Sequence, residues 1–381
     1  MIDSADSYGL RVRERFDWPL FISASLIVVL GMVNLYSATS VYTGALAEVY
    51  VNQLYSLVAG GILAFAVASI DYRHFERLGY VLYTAGVVLL LLVLVLGRDI
   101  RGAARWISLA GFQFQPSEFM KLSLIVGVGK AIHEDPRSDG RTLRNLVAPL
   151  GLALLPTLLI LRQPDLGTSI LLMLIFGSIM ALLRWQPKTV LFILAVLACG
   201  IPLGWLYGLK DYQRQRITSF LDPEADLQGA GWHAHHARVA IGNGGVFGQG
   251  FLQGTQNQFK FLPDQYSDFP YAVLAEEWGF VGSFVLIGLY TFLSLWSIRI
   301  ASQAKDRFGA VVAIGVGAMI FWHAVVNLGM VLGMLPVVGA TLPLFSYGGS
   351  SAITILIGIG LLMNVSMRRN HFTAARDLLM R

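Results

Sequence analysis

A polar stretch that turns apolar holds the carboxylate best placed for chemistry. Residues 261–282 begin with acidic and aromatic side chains and then run into a long hydrophobic segment. Pro270 stands where a first helical turn would start, since the N–H that proline lacks has no helical partner there. Asp268 is therefore predicted at the mouth of a membrane helix, where ionisable groups are costly and usually functional. Two interpretations stay open: Asp268 takes part in acid–base chemistry, or Ser267 or Asp268 only caps the helix.

A cluster of basic and aromatic residues suggests a second chemical role, the binding of phosphate. Arg101 and Arg105 precede Trp106, and the planar guanidinium of arginine suits phosphate oxygens. Trp106 is typical either of a stacking surface or of the aromatic belt at a membrane interface. Glu118 and Lys121 follow at i,i+3 on one helical face, and we expect them to neutralise each other inside the bilayer. Whether this pair is structural or binds substrate stays open.

Two further polar segments are candidates for contact with an anionic substrate. Gln163 and Asp165 lie in a tight turn, where Asp165 either caps the next helix or pairs with an outer arginine. Arg216 lies in a long loop over residues 209–269. The same loop contains a glycine-rich run at 241–248, which either exposes backbone N–H groups to a pyrophosphate or forms a flexible turn.

Metal and redox chemistry have weaker signals. The histidines of the long loop are His233, His235 and His236, and no carboxylate or cysteine is suitably spaced to complete a zinc site with them. Cys199 is the single cysteine, so neither a disulfide framework nor a CxxC motif is present. His323 and Asn327 lie in an apolar segment, where hydrogen-bonded core residues are more common than ligands.

The composition places these residues in a membrane protein. The 381-residue chain is 55% hydrophobic and 13% charged, whereas soluble proteins carry about 25% charged residues. Its net charge of +5 is explained by the excess of basic residues on cytoplasmic loops, so nucleic acid is not expected as a partner. We predict an all-α polytopic membrane protein in which residues 1–381 form a single integral membrane domain.

Ten apolar segments are long enough to position these residues across a bilayer. They lie near residues 18–38, 52–70, 78–96, 115–131, 146–161, 168–184, 189–208, 270–297, 309–332 and 343–366. An even number puts both termini on one side, and the distribution of lysine and arginine predicts that this side is cytoplasmic. The first segment is too long for the apolar core of a signal peptide, so a retained first helix is expected.

This orientation places the polar candidates outside the cell. The segments 97–115, 162–168 and 209–269 all face outward, and the last of these is predicted to be an ordered, functional loop between helices 7 and 8. Because no ATP or nucleotide sugar is available on the outer face, the substrate must arrive already activated. A lipid-linked substrate is the simplest case.

Several motifs together resemble one family. They are GAARW at 102–106, QPSEFMK at 115–121, QPDLGT at 163–168, IGNGGVFG at 241–248, SDF at 267–269 with EEWG at 276–279, and LPLFSYGGSS at 342–351. The chain resembles the SEDS proteins (shape, elongation, division, sporulation), which are membrane glycosyltransferases of bacterial wall synthesis. The resemblance covers essentially the whole chain, and the PVVG run at 336–339 is similar to the elongation-type members. The chain departs from the family pattern at Asp264, Ser267 and Pro270.

The resemblance implies a reaction and its partners. The reaction is polymerisation of lipid II, an undecaprenyl-pyrophosphate-linked disaccharide peptide, on the outer face of the bacterial inner membrane. Asp268 matches the essential aspartate of the family, whose natural role is general base. The substrate-binding residues implied or predicted are Arg101, Arg105, Trp106, Glu118, Lys121, Gln163, Asp165 and Arg216. The partners are lipid II, membrane lipid and a class B penicillin-binding protein. No metal ligands are predicted, although a divalent cation beside the pyrophosphate is compatible with this chemistry.

Two other classes of function remain open. A lipid II flippase would place ionisable groups near both membrane faces and the midplane, often with repeat symmetry, whereas the polar residues here cluster outside. A scaffold that only holds a penicillin-binding protein would not need a lone acid at a helix mouth. Activity of the purified protein on lipid II would discriminate among the three.

Overall fold

The fold was described from a computed structural model of the chain. It describes residues 16–100, 103–109, 112–135, 141–204, 214, 218, 220, 230–262 and 264–368. Two of the predicted site residues, Arg101 and Arg216, lie outside the described residues. The predicted roles of these two arginines therefore stay predictions.

Helices account for nearly all of the regular structure in these ranges. In chain order they are α1 Trp18–Thr39, α2 Val49–Ser69, α3 Tyr72–Arg77, α4 Gly79–Leu96, α5 Pro116–Glu134, α6 Leu143–Arg162, α7 Leu166–Ala181, α8 Pro187–Leu203, α9 Ala230–Gly244, α10 Thr255–Gln258, α11 Pro270–Ser302, α12 Arg307–Val331 and α13 Gly349–Met367. Each of the ten predicted spans coincides with one of the longer helices within the described residues. The last helix starts at Gly349 rather than near 343, because residues 341–348 form turns.

Among the described helices, seven are long and apolar enough to cross a membrane. α7 and α8 are apolar but shorter, with 16 and 17 residues. α5 is more polar than the other long helices because it carries Glu118, Lys121 and Lys130. The chain is thus an all-α polytopic membrane protein, as predicted.

The helices differ in how much of their surface the protein itself covers. α12 and α13 are largely enclosed, with 67% and 78% of their apolar windows buried, whereas only 11% of the α2 window is buried. Helices that face lipid keep their apolar side chains exposed, since lipid is as apolar as the side chains themselves. α12 and α13 therefore form the centre of the bundle, and residues on α12 contact several neighbouring helices.

A small antiparallel sheet, absent from the sequence prediction, lies between α4 and α5. Its strands are β1 Arg98–Ile100, β2 Ala103–Leu109 and β3 Phe112–Phe114, in the order β1-β2-β3. Arg105 and Trp106 occupy successive positions on β2, and successive side chains of a strand point to opposite faces. The sheet is attached to the last helix, because the Ser350 hydroxyl donates to the Gln113 carbonyl at 2.9 Å and accepts from the Gln115 N–H at 3.1 Å.

α11 is broken at Gly279, and the glycine-rich loop after α9 forms backbone hydrogen bonds with α11 at the break. Gly279 has φ 64° and ψ −155°, which interrupts the helical hydrogen bonds around it. The Gln249 and Gly250 N–H groups donate to the carbonyls of residues 276 and 277 at 2.9 and 3.1 Å. In return, the N–H groups of residues 280 and 281 donate to the carbonyls of residues 245 and 246. The loop therefore supplies hydrogen-bond partners to the α11 backbone on both sides of the break. We call this set of backbone hydrogen bonds the splice.

This splice replaces both interpretations of the run at 241–248. The Gly248 N–H donates to the Gly244 carbonyl at 2.8 Å, and the next two N–H groups are bonded to α11. These donors are therefore already occupied and do not form a cradle for a pyrophosphate. The run is not a flexible turn either, since its backbone is tied to α11 on both sides of the break.

Candidate active site

Asp268 lies just before α11 and does not occupy its N-cap position. That position is held by Phe269, whose side chain makes no capping hydrogen bond. Pro270 is the first helical residue, as predicted. Asp268 instead closes a tight turn in which its N–H donates to the Asp264 carbonyl at 3.0 Å. Neither Ser267 nor Asp268 is therefore the N-cap residue, because Phe269 lies between them and Pro270.

The loop between α12 and α13 forms one wall beside the Asp268 carboxylate. A methyl group on Gly339 would lie 3.9 Å from Asp268 Oδ2, so the carboxylate faces this turn. Gly339 has φ 71°, a conformation that glycine adopts without steric cost. Asp268 is half-buried, so part of it is accessible from outside the protein.

Asn327 of α12 ties this loop to Asp268. Its Nδ2 donates to the Asp268 carbonyl at 3.0 Å and to the Ala340 carbonyl at 2.6 Å. Asn327 is fully buried, which confirms the prediction that it is a hydrogen-bonded core residue.

Arg105 of β2 binds the turn between α6 and α7. Its Nε donates to the Gln163 carbonyl at 3.2 Å, its Nη2 donates to the Pro164 carbonyl, and its Nη1 lies 3.8 Å from Asp165 Oδ1. Asp165 also caps α7 by accepting from the Thr168 N–H at 3.2 Å. The two interpretations of Asp165, as a cap and as an arginine partner, therefore hold together.

The side chains next to this ion pair differ in exposure. Gln163 is buried, and its Nε2 donates to the Leu90 carbonyl at 3.0 Å, which attaches the turn to α4. Trp106 follows Arg105 on β2 and is half-buried. The structure thus assigns Gln163 a packing contact, while the predicted substrate contacts of both residues stay predictions.

One loop connects the Arg105–Asp165 turn with Asp268. A methyl group on Gly167, at the start of α7, would lie only 2.7 Å from the Val338 carbonyl oxygen. The next residue, Gly339, faces the Asp268 carboxylate. Gly167 and Asp268, about 100 positions apart in the chain, therefore both lie against the short segment 338–339.

Lys121 and Glu118 form the predicted pair, and a histidine completes it. Lys121 Nζ lies 2.7 Å from Glu118 Oε1 and 2.7 Å from His323 Nε2, and all three side chains are buried. Glu118 Oε2 has no hydrogen-bond partner within the described part of the chain. His323 lies four residues before Asn327, so one face of α12 contacts both Lys121 and the Asp268 backbone. The i,i+4 spacing of two polar residues in an apolar helix was the signal that could have found this face.

The described residues contain no set of side chains arranged as metal ligands. They contain no group of three or more histidine, cysteine, aspartate or glutamate side chains that could hold a metal ion. His236 Nδ1 lies 2.9 Å from Gln256 Oε1, and its ring packs against the rings of Trp232 and Phe261. A divalent cation at Asp268 stays a prediction.

Comparison with known proteins identifies relatives over nearly the whole chain. A family model described as a cell cycle protein of the FtsW, RodA and SpoVE type matches residues 17–371. The peptidoglycan glycosyltransferase MrdB of Escherichia coli K12 is 38% identical over 352 residues, covering 91% of this chain and 94% of its own. The peptidoglycan glycosyltransferase RodA of Treponema pallidum is 32% identical over 435 residues, covering 94% and 100%.

Solved structures are similar as well. A chain from a structure on the coordination of polymerization and crosslinking by a peptidoglycan synthase complex matches with a TM-score of 0.81 and 35% identity, covering 93% of this chain and 99% of that one. The crystal structure of the rod shape determining protein RodA of Thermus thermophilus matches with a TM-score of 0.69 and 32% identity, covering 93% and 98%. The similarity therefore extends from sequence to the arrangement of the helices.

Proposed function

The chain belongs to the FtsW/RodA/SpoVE family of cell cycle proteins, and on that premise we propose that it is a peptidoglycan glycosyltransferase of the elongation type. The activity is supported by the names of relatives that match over more than nine tenths of the chain. The elongation type is supported by the similarity to RodA structures and by the PVVG run at 336–339.

The proposed substrate is lipid II, which carries its own activation as a pyrophosphate. The 4-hydroxyl oxygen of an acceptor sugar attacks the anomeric carbon of a donor, a new glycosidic bond forms, and the bond from that carbon to the pyrophosphate oxygen breaks. Undecaprenyl pyrophosphate leaves with the electron pair of the broken bond. The hydroxyl proton is transferred to a base on the protein. This base has to lie outside the apolar core, at the level of the substrate headgroup.

Asp268 is the proposed general base, and its position at the start of α11 is the observation that carries this role. Asp268 is half-buried, its carboxylate faces Gly339, and it lies one residue before the N-cap position of the helix. A general base must reach the proton that it abstracts and keep its carboxylate available at neutral pH. A carboxylate at the water boundary meets both needs better than a fully buried one.

Cationic side chains on the same side of the bundle are proposed to stabilise the pyrophosphate. Arg105 and Lys121 supply positive charge, and charge that is already in place at the leaving group lowers the barrier without reorganisation. Arg101 and Arg216 are proposed to add to this charge. Trp106 is proposed to contact a sugar or lipid of the substrate. Glu118, Gln163 and Asp165 are proposed to orient the basic side chains.

The proposed setting is the bacterial inner membrane, with both termini cytoplasmic and the site outside. The proposed partner is a class B penicillin-binding protein that crosslinks the strands, and the similarity to a chain of a peptidoglycan synthase complex supports this partner. A divalent cation beside the pyrophosphate belongs to the proposal only as an option, to be tested by chelation.

The experiment that tests the function replaces Asp268 by asparagine. Asp268→Asn keeps the size of the side chain but removes the proton acceptor. We expect a folded protein whose rate of lipid II polymerisation falls by roughly 10²–10⁴. The measurement is glycan product from labelled lipid II, with the purified chain alone and with its penicillin-binding protein.

The matched control is Asp264→Asn, because Asp264 lies in the same turn and asparagine tolerates its positive φ of 47°. The control should polymerise lipid II within a few-fold of the unchanged protein. Polymerisation by Asp268→Asn at the unchanged rate would refute the assignment of the base. A flippase or a scaffold would then be the better account of the fold.

A further inference from the structure

One face of α12 holds two polar residues that the proposed reaction does not yet use. His323 and Asn327 are four residues apart, so they lie one above the other on the same side of the helix. Both are buried, at 1% and 0% exposure, in a helix whose other buried residues are mainly apolar. Buried polar groups of this kind are costly unless they form hydrogen bonds, and both of these do.

His323 holds the ammonium group of Lys121. His323 Nδ1 lies 2.7 Å from the Met319 carbonyl oxygen, which can only accept, so Nδ1 carries the hydrogen. In the neutral ring Nε2 then has a lone pair, and Lys121 Nζ donates to it at 2.7 Å. The position of the Lys121 charge is therefore set by α12 as well as by Glu118.

Asn327 holds the backbone on both sides of the Asp268 carboxylate. An asparagine amide nitrogen has two hydrogens, and here they match two carbonyl acceptors, one from Asp268 and one from Ala340. Ala340 follows Gly339, the residue that the carboxylate faces. This amide group joins the start of α11 to the loop wall on the side of Asp268, while the Tyr347 N–H joins the same loop to the Tyr266 carbonyl at 2.8 Å.

We infer that Asn327 is a positioning residue, which holds Asp268 at a constant separation from the Gly339 turn and from Lys121. This inference rests on the proposed function, since it needs Asp268 to be the base and Lys121 to face the leaving group. The bond to the Asp268 carbonyl restricts the backbone that carries the carboxylate. Without Asn327 this bond between Asp268 and α12 is lost. A shift of about 1 Å at a reacting group costs on the order of 100-fold in rate.

The test compares the same substitution at two buried asparagines. Asn364 of α13 is also fully buried, and its Nδ2 also donates to two carbonyls, those of Val67 and Ile70, away from Asp268. Asn327→Leu and Asn364→Leu each remove both donors while keeping the branched shape of the side chain. Both should lower the thermal midpoint, Asn364→Leu at least as much, because Asn364 Oδ1 also accepts from Arg368 Nη1 at 2.6 Å. Only Asn327→Leu should lower kcat for lipid II polymerisation, by about 10- to 100-fold, with KM within about twofold.

A third variant covers the case in which Asn327→Leu does not fold. Asn327→Ser keeps one shorter donor, so its kcat should lie between those of Asn327→Leu and the unchanged protein. A kcat at the unchanged level in either folded Asn327 variant would overturn the inference, as would an equal loss in Asn364→Leu. Asp268→Asn measured beside them separates the two claims: if it is inactive while Asn327→Leu is fully active, only the positioning role fails.

Discussion

Two acidic regions of one continuous stretch, eight residues apart, have opposite environments. Asp268 is half-buried just before the start of α11 and faces the loop at Gly339. Glu276 and Glu277 lie two turns further along the same helix and are only 0% and 2% exposed. All three are carboxylates in a membrane protein, where each would be a functional candidate from sequence alone.

The contacts of the two glutamates explain their burial. Glu276 Oε1 accepts from the Thr255 hydroxyl and from the Gln256 N–H, both at 3.0 Å, at the start of α10. Glu277 Oε1 accepts from the Ser37 hydroxyl of α1 at 2.5 Å. The two glutamates therefore attach α10 and α1 to α11 beside the break at Gly279. The comparison teaches that burial and partners, not residue type or distance along the chain, separate a structural acid from the acid proposed to react.

The largest effect on folding is expected at Gly248, where the backbone of α11 leaves no room for a side chain. Gly248 packs on the α11 backbone, and a methyl group there would overlap the Glu277 carbonyl oxygen. Gly248 also has φ 82°, which is strained for any other residue. Gly248→Ala should therefore prevent the splice and abolish recovery of folded protein, measured by size-exclusion chromatography in detergent.

Gly242→Ala is the matched control for this change. Gly242 lies in α9 just before the splice, and a methyl group there would meet nothing within 4 Å. Alanine in a helix interior is favoured over glycine by about 1 kcal/mol, so this variant should be recovered at least as well as the unchanged protein. Normal recovery of Gly248→Ala would show that the splice tolerates displacement and would remove the contrast with the Asp268 region.

The next effect concerns Glu118 and Lys121, the buried pair on α5. Glu118 is a third enclosed acid, and its main partner is a cation rather than a neutral donor. Lys121→Met leaves the buried Glu118 carboxylate without its ammonium partner and should cost about 3–5 kcal/mol. Glu118→Gln leaves Lys121 bonded to His323 and should cost less, about 1–3 kcal/mol. Thermal melts of the single and double variants measure both losses. Equal losses, or strict additivity in the double variant, would contradict the described pair.

The smallest effect is expected at Glu276. Glu276→Gln keeps an acceptor oxygen for Thr255 and Gln256 but replaces charged hydrogen bonds by neutral ones, which should lower stability by about 1 kcal/mol. Lipid II polymerisation should stay within a few-fold of the unchanged rate. If Glu276→Gln instead abolished polymerisation at unchanged stability, the division into a reactive and a structural acid would be broken.

Local sequence patterns predicted much of this molecule for a physical reason. A helix in lipid must satisfy its own backbone hydrogen bonds and expose apolar side chains, so length and hydropathy are enough to locate it. Pro270 marked the start of α11, and the i,i+3 spacing of Glu118 and Lys121 placed both on one face. These features depend on residues within one helical turn of each other.

The features that were missed depend on distant partners. The sheet of β1 to β3 is attached to Ser350, more than 200 residues away, and the break at Gly279 is stable only because another loop supplies its hydrogen bonds. The interpretation of Asp268 as the N-cap, one of two that the sequence left open, does not hold, because Phe269 takes that position. No periodicity in the chain encodes such contacts.

The sequence by itself determined the membrane class, the helical segments, the first residue of α11 and the residue types able to do acid–base and phosphate chemistry. These follow from local hydropathy and from the backbone needs of a helix in lipid. Only the tertiary structure decided which acid meets water and which is enclosed. Asn327 of α12 and the Gly339 turn contact Asp268, and the same loop packs through Val338 against Gly167 at the start of α7, next to the turn that Arg105 binds.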